Sequence, residues 1–181
     1  KYYSKEEYTL LVNGEEYGKT DKVVTTIYGL KPDTEYKVTA IYAGKEYGPV
    51  EFKTDYEYVT LNVREFGAYG DGEHDDTNAI QCAIMAAPKN SRVLVPEGVY
   101  KISSIFLKDD LTLELAKGAV LSAFTEREKF PILPGQIETY DETNYYNLGT
   151  WEGNPLDMFS AIVCGINCSN VTITGEGTID G

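Results

Sequence analysis

The chain has 181 residues, with 16 Lys plus Arg against 29 Asp plus Glu and a net charge of −13. A quarter of its residues are charged and 42% are apolar, the balance of a folded rather than a disordered polypeptide. So acidic a chain excludes nucleic acid as a partner, because phosphate binding needs a basic face. No run approaches the roughly 18 apolar residues that cross a bilayer, so no membrane is expected as a partner, and no signal peptide is visible at the start. Cys82, Cys164 and Cys168 form no CxxC pair, and His74 is the single histidine. These thiols read as buried or free structural groups, Cys82 on the apolar side of a helix and the other two flanking a turn. No metal site and no cofactor are expected.

Residues 1–55 are rich in Tyr, Val, Thr and Lys, with turn signals at short spacing. Leu10-Leu11-Val12, Asn13-Gly14 and Glu15-Glu16-Tyr17 predict a β-hairpin, because Asn-Gly suits a type I′ turn. Val23–Tyr28 is a β-branched run and predicts a strand. Tyr36, Val38, Ala40 and Tyr42 alternate along another, which turns at Gly44-Lys45 into a last strand ending near Phe52. The pattern predicts a small all-β sandwich. Leu30-Lys31-Pro32-Asp33-Thr34-Glu35-Tyr36 resembles the L-x-P-x-T-x-Y pattern of fibronectin type III modules. That resemblance implies a tyrosine corner, with the Tyr36 hydroxyl bonded back to the preceding loop. The family's opening strands and their tryptophan are missing, since the one Trp is Trp151. The module is therefore expected to be N-terminally truncated.

A short acidic connector, Thr54–Val59, leads to a second pattern, so the predicted domains are 1–55 and 56–181. Phe66-Gly67-Ala68-Tyr69-Gly70-Asp71-Gly72 packs three glycines into seven residues and predicts tight turns. Its spacing fits neither G-x-G-x-x-G nor a P-loop. Asp75-Asp76-Thr77 offers helix N-caps, and Ile80, Ala83, Ile84 and Ala87 form one apolar helix face before Pro88. Asp71, Asp75 and Asp76 are read as structural, with capping accounting for two of them.

After the helix the sequence repeats a unit of strand, charged residue plus Gly, strand: Val93–Val95 with Gly98 and Val99–Ile102, Leu111–Leu115 with Gly118 and Ala119–Leu121, Val171–Thr174 with Gly177 and Thr178–Asp180. Gly98 and Gly118 are 20 positions apart in the numbering, a solenoid period. Short strands turning at a fixed Gly, with no helices between them, predict a parallel β-helix. Asp109-Asp110 is expected to be a solvated turn before Leu111. Residues 123–159 interrupt the repeat as a long loop without regular structure, and such loops are often functional. The loop holds Arg127, Lys129, Tyr140 and Tyr145. Sugars bind aromatic rings flanked by amide and carboxylate groups, so Tyr146, Trp151, Glu152 and Asn154 are the candidate substrate-binding residues.

The string F-G-A-Y-G-D-G-E-H-D-D-T-N-A-I-Q, residues 66–81, resembles the opening motif of the pectin-lyase-like β-helices, where the helix caps the solenoid. V-P-E-G-V-Y (95–100), L-T-L-E-L-A-K-G-A-V-L (111–121), S-A-I-V (160–163) and N-V-T-I-T-G-E-G-T-I-D-G (170–181) in that order resemble the polygalacturonases, glycoside hydrolase family 28. The resemblance covers residues 61–181. It implies a right-handed parallel β-helix, a polysaccharide partner (polygalacturonate or pectin), an extracellular or periplasmic location, and inverting, exo-acting hydrolysis of α-1,4-galacturonosidic bonds. The family's catalytic strings N-T-D, G-H-G and R-I-K do not occur, and neither Asp75-Asp76 nor Asp109-Asp110 stands where its D-D motif does. No catalytic residue is therefore assigned; the carboxylates are expected after Gly181, and this chain alone is expected to be inactive. The alternatives are a non-catalytic carbohydrate-binding, tailspike or adhesin-like β-helix, and a pectate lyase.

Overall fold

In the computed structural model, which describes residues 2–138 and 144–181, Asn13 and Gly14 take φ of 52° and 86°. Both values belong to a type I′ turn, whose twist matches paired strands. The turn joins β1 (Tyr3–Val12) to β2 (Glu15–Lys22), and a second positive-φ pair, Ala43-Gly44, joins β3 (Glu35–Tyr42) to β4 (Lys45–Lys53). These strands form an antiparallel sheet in the order β2-β1-β3-β4. They belong to the first of two compact units, Lys1–Glu57 and Tyr58–Gly181.

The first unit corrects two expectations. It is one sheet, where two packed sheets were expected, and Val23–Tyr28 forms no strand. A strand needs a ladder on a neighbour, and this segment uses its amides singly: Val23 N–H donates to Tyr2 O at 2.9 Å and Tyr28 N–H to Tyr17 Oη at 2.8 Å. Leu10 faces Ala40, Val12 faces Val38, and Tyr36 faces Phe52, so paired apolar residues share one side of the sheet. The Tyr36 hydroxyl accepts the Lys31 N–H at 2.8 Å, the corner contact that the L-x-P-x-T-x-Y pattern implied.

The second unit is built from parallel rungs. Its first strands are β5 (Thr60–Asn62) and β6 (Asp71–Asp75), followed by helix α1 (Thr77–Ala86). The next rung is β7 (Ser91–Val95), β8 (Gly98–Ile102) and β9 (Ile105–Phe106), and after it come β10 (Leu111–Leu115) and β11 (Ala119–Ala123). Six short strands follow: β12 (Ile132–Leu133), β13 (Gln136–Glu138), β14 (Tyr145–Asn147), β15 (Thr150–Trp151), β16 (Asn154–Pro155) and β17 (Met158–Phe159). The rung is completed by β18 (Val163–Cys164), and the last one holds β19 (Val171–Gly175) and β20 (Thr178–Asp180). Equivalent strands stack in parallel as β5-β7-β10-β19, β6-β8-β11-β20 and β9-β18, the architecture of a parallel β-helix.

Register follows from alternation. Ser91, Leu111 and Val171 lie over one another, which places Val93, Val95, Leu113 and Leu115 inside and fully or nearly fully buried. Arg92 and Glu114 point outward and pair with each other. Each buried Val, Leu or Ile contributes about 1.5–3 kcal/mol, so this shared interior is the main stabilising term of the unit. The three rungs after the first each start on a left-handed residue: Asn90, Asp110 and Asn170 have φ of 57°, 54° and 55°. The Asp110 carboxylate receives Asn170 Nδ2 at 2.9 Å and lies 3.3 Å from Lys89 Nζ, while Asp109 Oδ1 accepts the Ser169 N–H at 2.6 Å. The expected solvated turn is thus a rung-to-rung contact.

Helix α1 closes the start of the core. Ile80, Ala83, Ile84 and Ala87 are buried as their spacing predicts, whereas Cys82 is exposed, because it lies two positions from both Ile80 and Ile84 on a 3.6-residue turn. A second stripe of the helix satisfies backbone groups of the first full rung. Thr77 Oγ1 accepts the Ser103 N–H at 2.9 Å. Gln81 accepts the Phe106 N–H at 2.7 Å and donates to its carbonyl at 3.0 Å, and Lys108 Nζ reaches the Met85 carbonyl at 2.8 Å. Leu at position 81 would leave both Phe106 groups without that partner. Gln81→Leu is expected to lower unfolding free energy by about 1–3 kcal/mol in chemical denaturation; an unchanged midpoint would show that the helix caps by apolar contact alone.

Candidate functional site

Two parts of the β-helix unit carry chemistry-bearing residues away from the core. The first is the glycine-rich loop ahead of α1. Its three aspartates are all engaged with local N–H groups. Asp71 Oδ1 accepts the Glu73 and His74 amides at 2.9 and 3.0 Å, and Asp71 Oδ2 lies 2.7 Å from His74 Nδ1. The His74 ring in turn stacks on Tyr69, with centroids 4.0 Å apart. Asp75 Oδ1 accepts the Thr77 N–H at 3.0 Å. Asp76 corrects the capping expectation: its side chain caps no helix amide and is fully buried. It accepts the Tyr69 and Gly70 N–H groups at 2.6 and 2.9 Å, pinning the glycine loop from beneath.

Packing explains the glycines. A Cβ at Gly70 would stand 2.7 Å from the buried Tyr100 ring, and one at Gly98 would stand 2.6 Å from the Gly70 carbonyl. Arg64 bridges the same region, donating to Tyr69 O at 2.7 Å and Glu97 O at 2.9 Å with its guanidinium over the Tyr100 ring. This is a structural clasp. Among the described residues no group of three His, Cys, Asp or Glu side chains is placed to hold a metal ion.

The second part is the interruption of the solenoid. In the preceding rung Ser103 and Ser104 alone separate β8 from β9; in this rung residues 124–162 separate β11 from β18. Where an irregular loop was expected, the described residues of the segment form short antiparallel pairs: β12 with β17, β13 with β14, and β15 with β16. Its turns and glycines make this possible. Gly135 donates to Asp157 Oδ1 at 2.9 Å and its carbonyl accepts the Leu148 N–H at 3.0 Å. A Cβ at Gly135 would run into the Leu156 backbone, and one at Gly149 into the Met158 side chain. The segment rejoins the solenoid at Ser160, whose buried hydroxyl lies 2.5 Å from that of buried Ser104.

The candidate residues lie on these pairs. Tyr146 faces Ile137 across β13 and β14, and Trp151 faces Asn154 across β15 and β16, with Glu152 (φ 49°) and Gly153 (φ 84°) as the two-residue turn. All four candidates are exposed, Trp151 by 68%. The turn puts Trp151, Glu152 and Asn154 together at one hairpin tip; Tyr146 belongs to the neighbouring hairpin. Tyr140 lies outside the described residues. The Glu-Gly turn between Trp151 and Asn154 is the signal by which this hairpin was open to recognition in the sequence.

Residues 60–121 match the family model described as rhamnogalacturonase A/epimerase, pectate lyase-like. The chain is 32% identical over 163 residues to an exo-poly-α-D-galacturonosidase of Dickeya chrysanthemi, covering 84% of this chain and 25% of that protein. Among solved structures it is similar to a family 28 exopolygalacturonase of Yersinia enterocolitica, with a TM-score of 0.65 and 28% identity over 97% of this chain and 36% of that one. It is also similar to a hyperthermoactive exopolygalacturonase of Thermotoga maritima, with a TM-score of 0.54 and 31% identity over 67% of this chain and 24% of that one. Fold and motifs together define a pectin-lyase-like parallel β-helix. Within that class the likenesses support a fragment of a polygalacturonase, glycoside hydrolase family 28, and the chain spans a quarter of the length of the curated relative it matches.

Two predictions follow from the geometry. The backbone amides of His74 and Glu73, then the His74 side chain, hold the Asp71 carboxyl down at about 2. A carboxylate with a depressed folded pKa stabilises above its unfolded value near 3.9, and that contribution is lost as pH falls through the folded one. The melting-temperature difference between the parent and Asp71→Asn is therefore expected to shrink as pH falls between about pH 4 and 2. In the interruption, Trp151→Ala is expected to change stability by less than about 0.5 kcal/mol, as for other exposed positions. Gly135→Ala must displace backbone, and limited proteolysis within residues 124–162 is expected to accelerate for that variant only.

Proposed function

We propose that the chain supplies the opening rungs of a pectin-degrading hydrolase that removes units from a chain end of polygalacturonate. The observation that carries this reading is the replacement of a two-residue turn by residues 124–162, whose described residues form short antiparallel strand pairs and include exposed aromatic rings. An open groove along a β-helix admits the middle of a polymer; a groove walled at one end admits a terminus. The exo-acting names of the relatives support the same reading. Tyr146, Trp151, Glu152 and Asn154 are the residues offered to the polysaccharide. A substrate of polymer size places the site of action outside the cytoplasm, extracellular or periplasmic. Residues 1–55 are read as a fibronectin type III-like module, on the strength of the Tyr36–Lys31 corner contact and the sequence pattern around it.

No residue of this chain is given a catalytic role. Inverting glycosidases use one carboxylic acid to protonate the leaving oxygen and a second carboxylate to activate water, the two standing roughly 6.5–9.5 Å apart. The family strings that carry those groups are absent from these 181 residues. The 181-residue chain is accordingly expected to release no reducing sugar from polygalacturonate above a heat-killed control. A protein in which this segment is followed by the carboxylate-bearing rungs is expected to release monomer or dimer early, with slow viscosity loss and the inverted anomer formed first by proton NMR. Replacing residues 124–162 there by Ser-Ser, the turn of the preceding rung, is expected to shift the products to mid-length oligomers. A mid-length ladder from the parent protein would sink the chain-end reading.

A further inference from the structure

We draw no further inference here: the strongest candidate, the exposed apolar side of the strand pairs within residues 124–162, where Ile132 stands opposite Phe159, is an unpartnered surface patch, and nothing in the structure shows what covers it.

Discussion

A rung of this solenoid has hydrogen-bond partners only above and below it, and every other feature of the second unit answers to that constraint. Strands of five residues or fewer cannot hide an apolar face alone; they do so by lying in register on the next rung. Register must be kept, because a slip by one residue exchanges the inner and outer sets. Ser91, Leu111 and Val171 begin their strands in line, each preceded by a left-handed Asn or Asp. The Asp110–Asn170 and Asp109–Ser169 contacts tie two such starts together outside the core. Register and packing thus rest on different residues, the alternating interior fixing which face is inside and the turn side chains fixing how far along each strand begins.

The same constraint explains the helix. The first full rung would present unsatisfied amides and carbonyls beside its third strand, and buried or half-buried backbone groups must be paired. Helix α1 answers with two stripes: Ile80, Ala83, Ile84 and Ala87 cover the core, while Thr77 and Gln81 supply hydrogen bonds to Ser103 and Phe106. Asp76, buried at the start of the helix, holds the glycine loop against Tyr100. The aspartates that look like a ligand cluster in the sequence accept hydrogen bonds from backbone N–H groups of the same loop and helix start.

The regular parts of this unit were legible because each carries its own period. Alternation over Val93–Val95 and Leu111–Leu115, spacing of 20 between Gly98 and Gly118, and the i, i+3, i+4, i+7 face of the helix all report burial, and burial is what a pattern encodes. What escaped was side-chain-to-backbone pairing. Nothing in the string Asp75-Asp76 distinguishes the carboxylate that faces Thr77 from the one turned under Gly70, because that choice is made by Tyr69 and Gly70, folded back in three dimensions. Asp109-Asp110 read as a solvated turn for the same reason: its partners Lys89, Ser169 and Asn170 are remote in sequence. The Val23–Tyr28 run failed differently. Its β-branched residues favour extended backbone, but propensity supplies no neighbour, and without a ladder no strand forms.

The interruption shows where a solenoid can accept added chain without disturbing its core. Ala123 and Val163 stay in register with Ile102 and Ile105, so the rung closes as if the intervening residues were a simple turn. Ser160 meets Ser104 at the point of return, and Asp157 and Gly135 fasten the hairpins to one another. Among its described residues the added chain pairs its strands locally and leaves many of its side chains exposed. Four of its residues, Tyr145, Tyr146, Trp151 and Phe159, present large rings to water, an arrangement that packing within these hairpins does not require. The core dictates residue type only on the rungs; on the hairpins the pairing fixes backbone and leaves side-chain identity open.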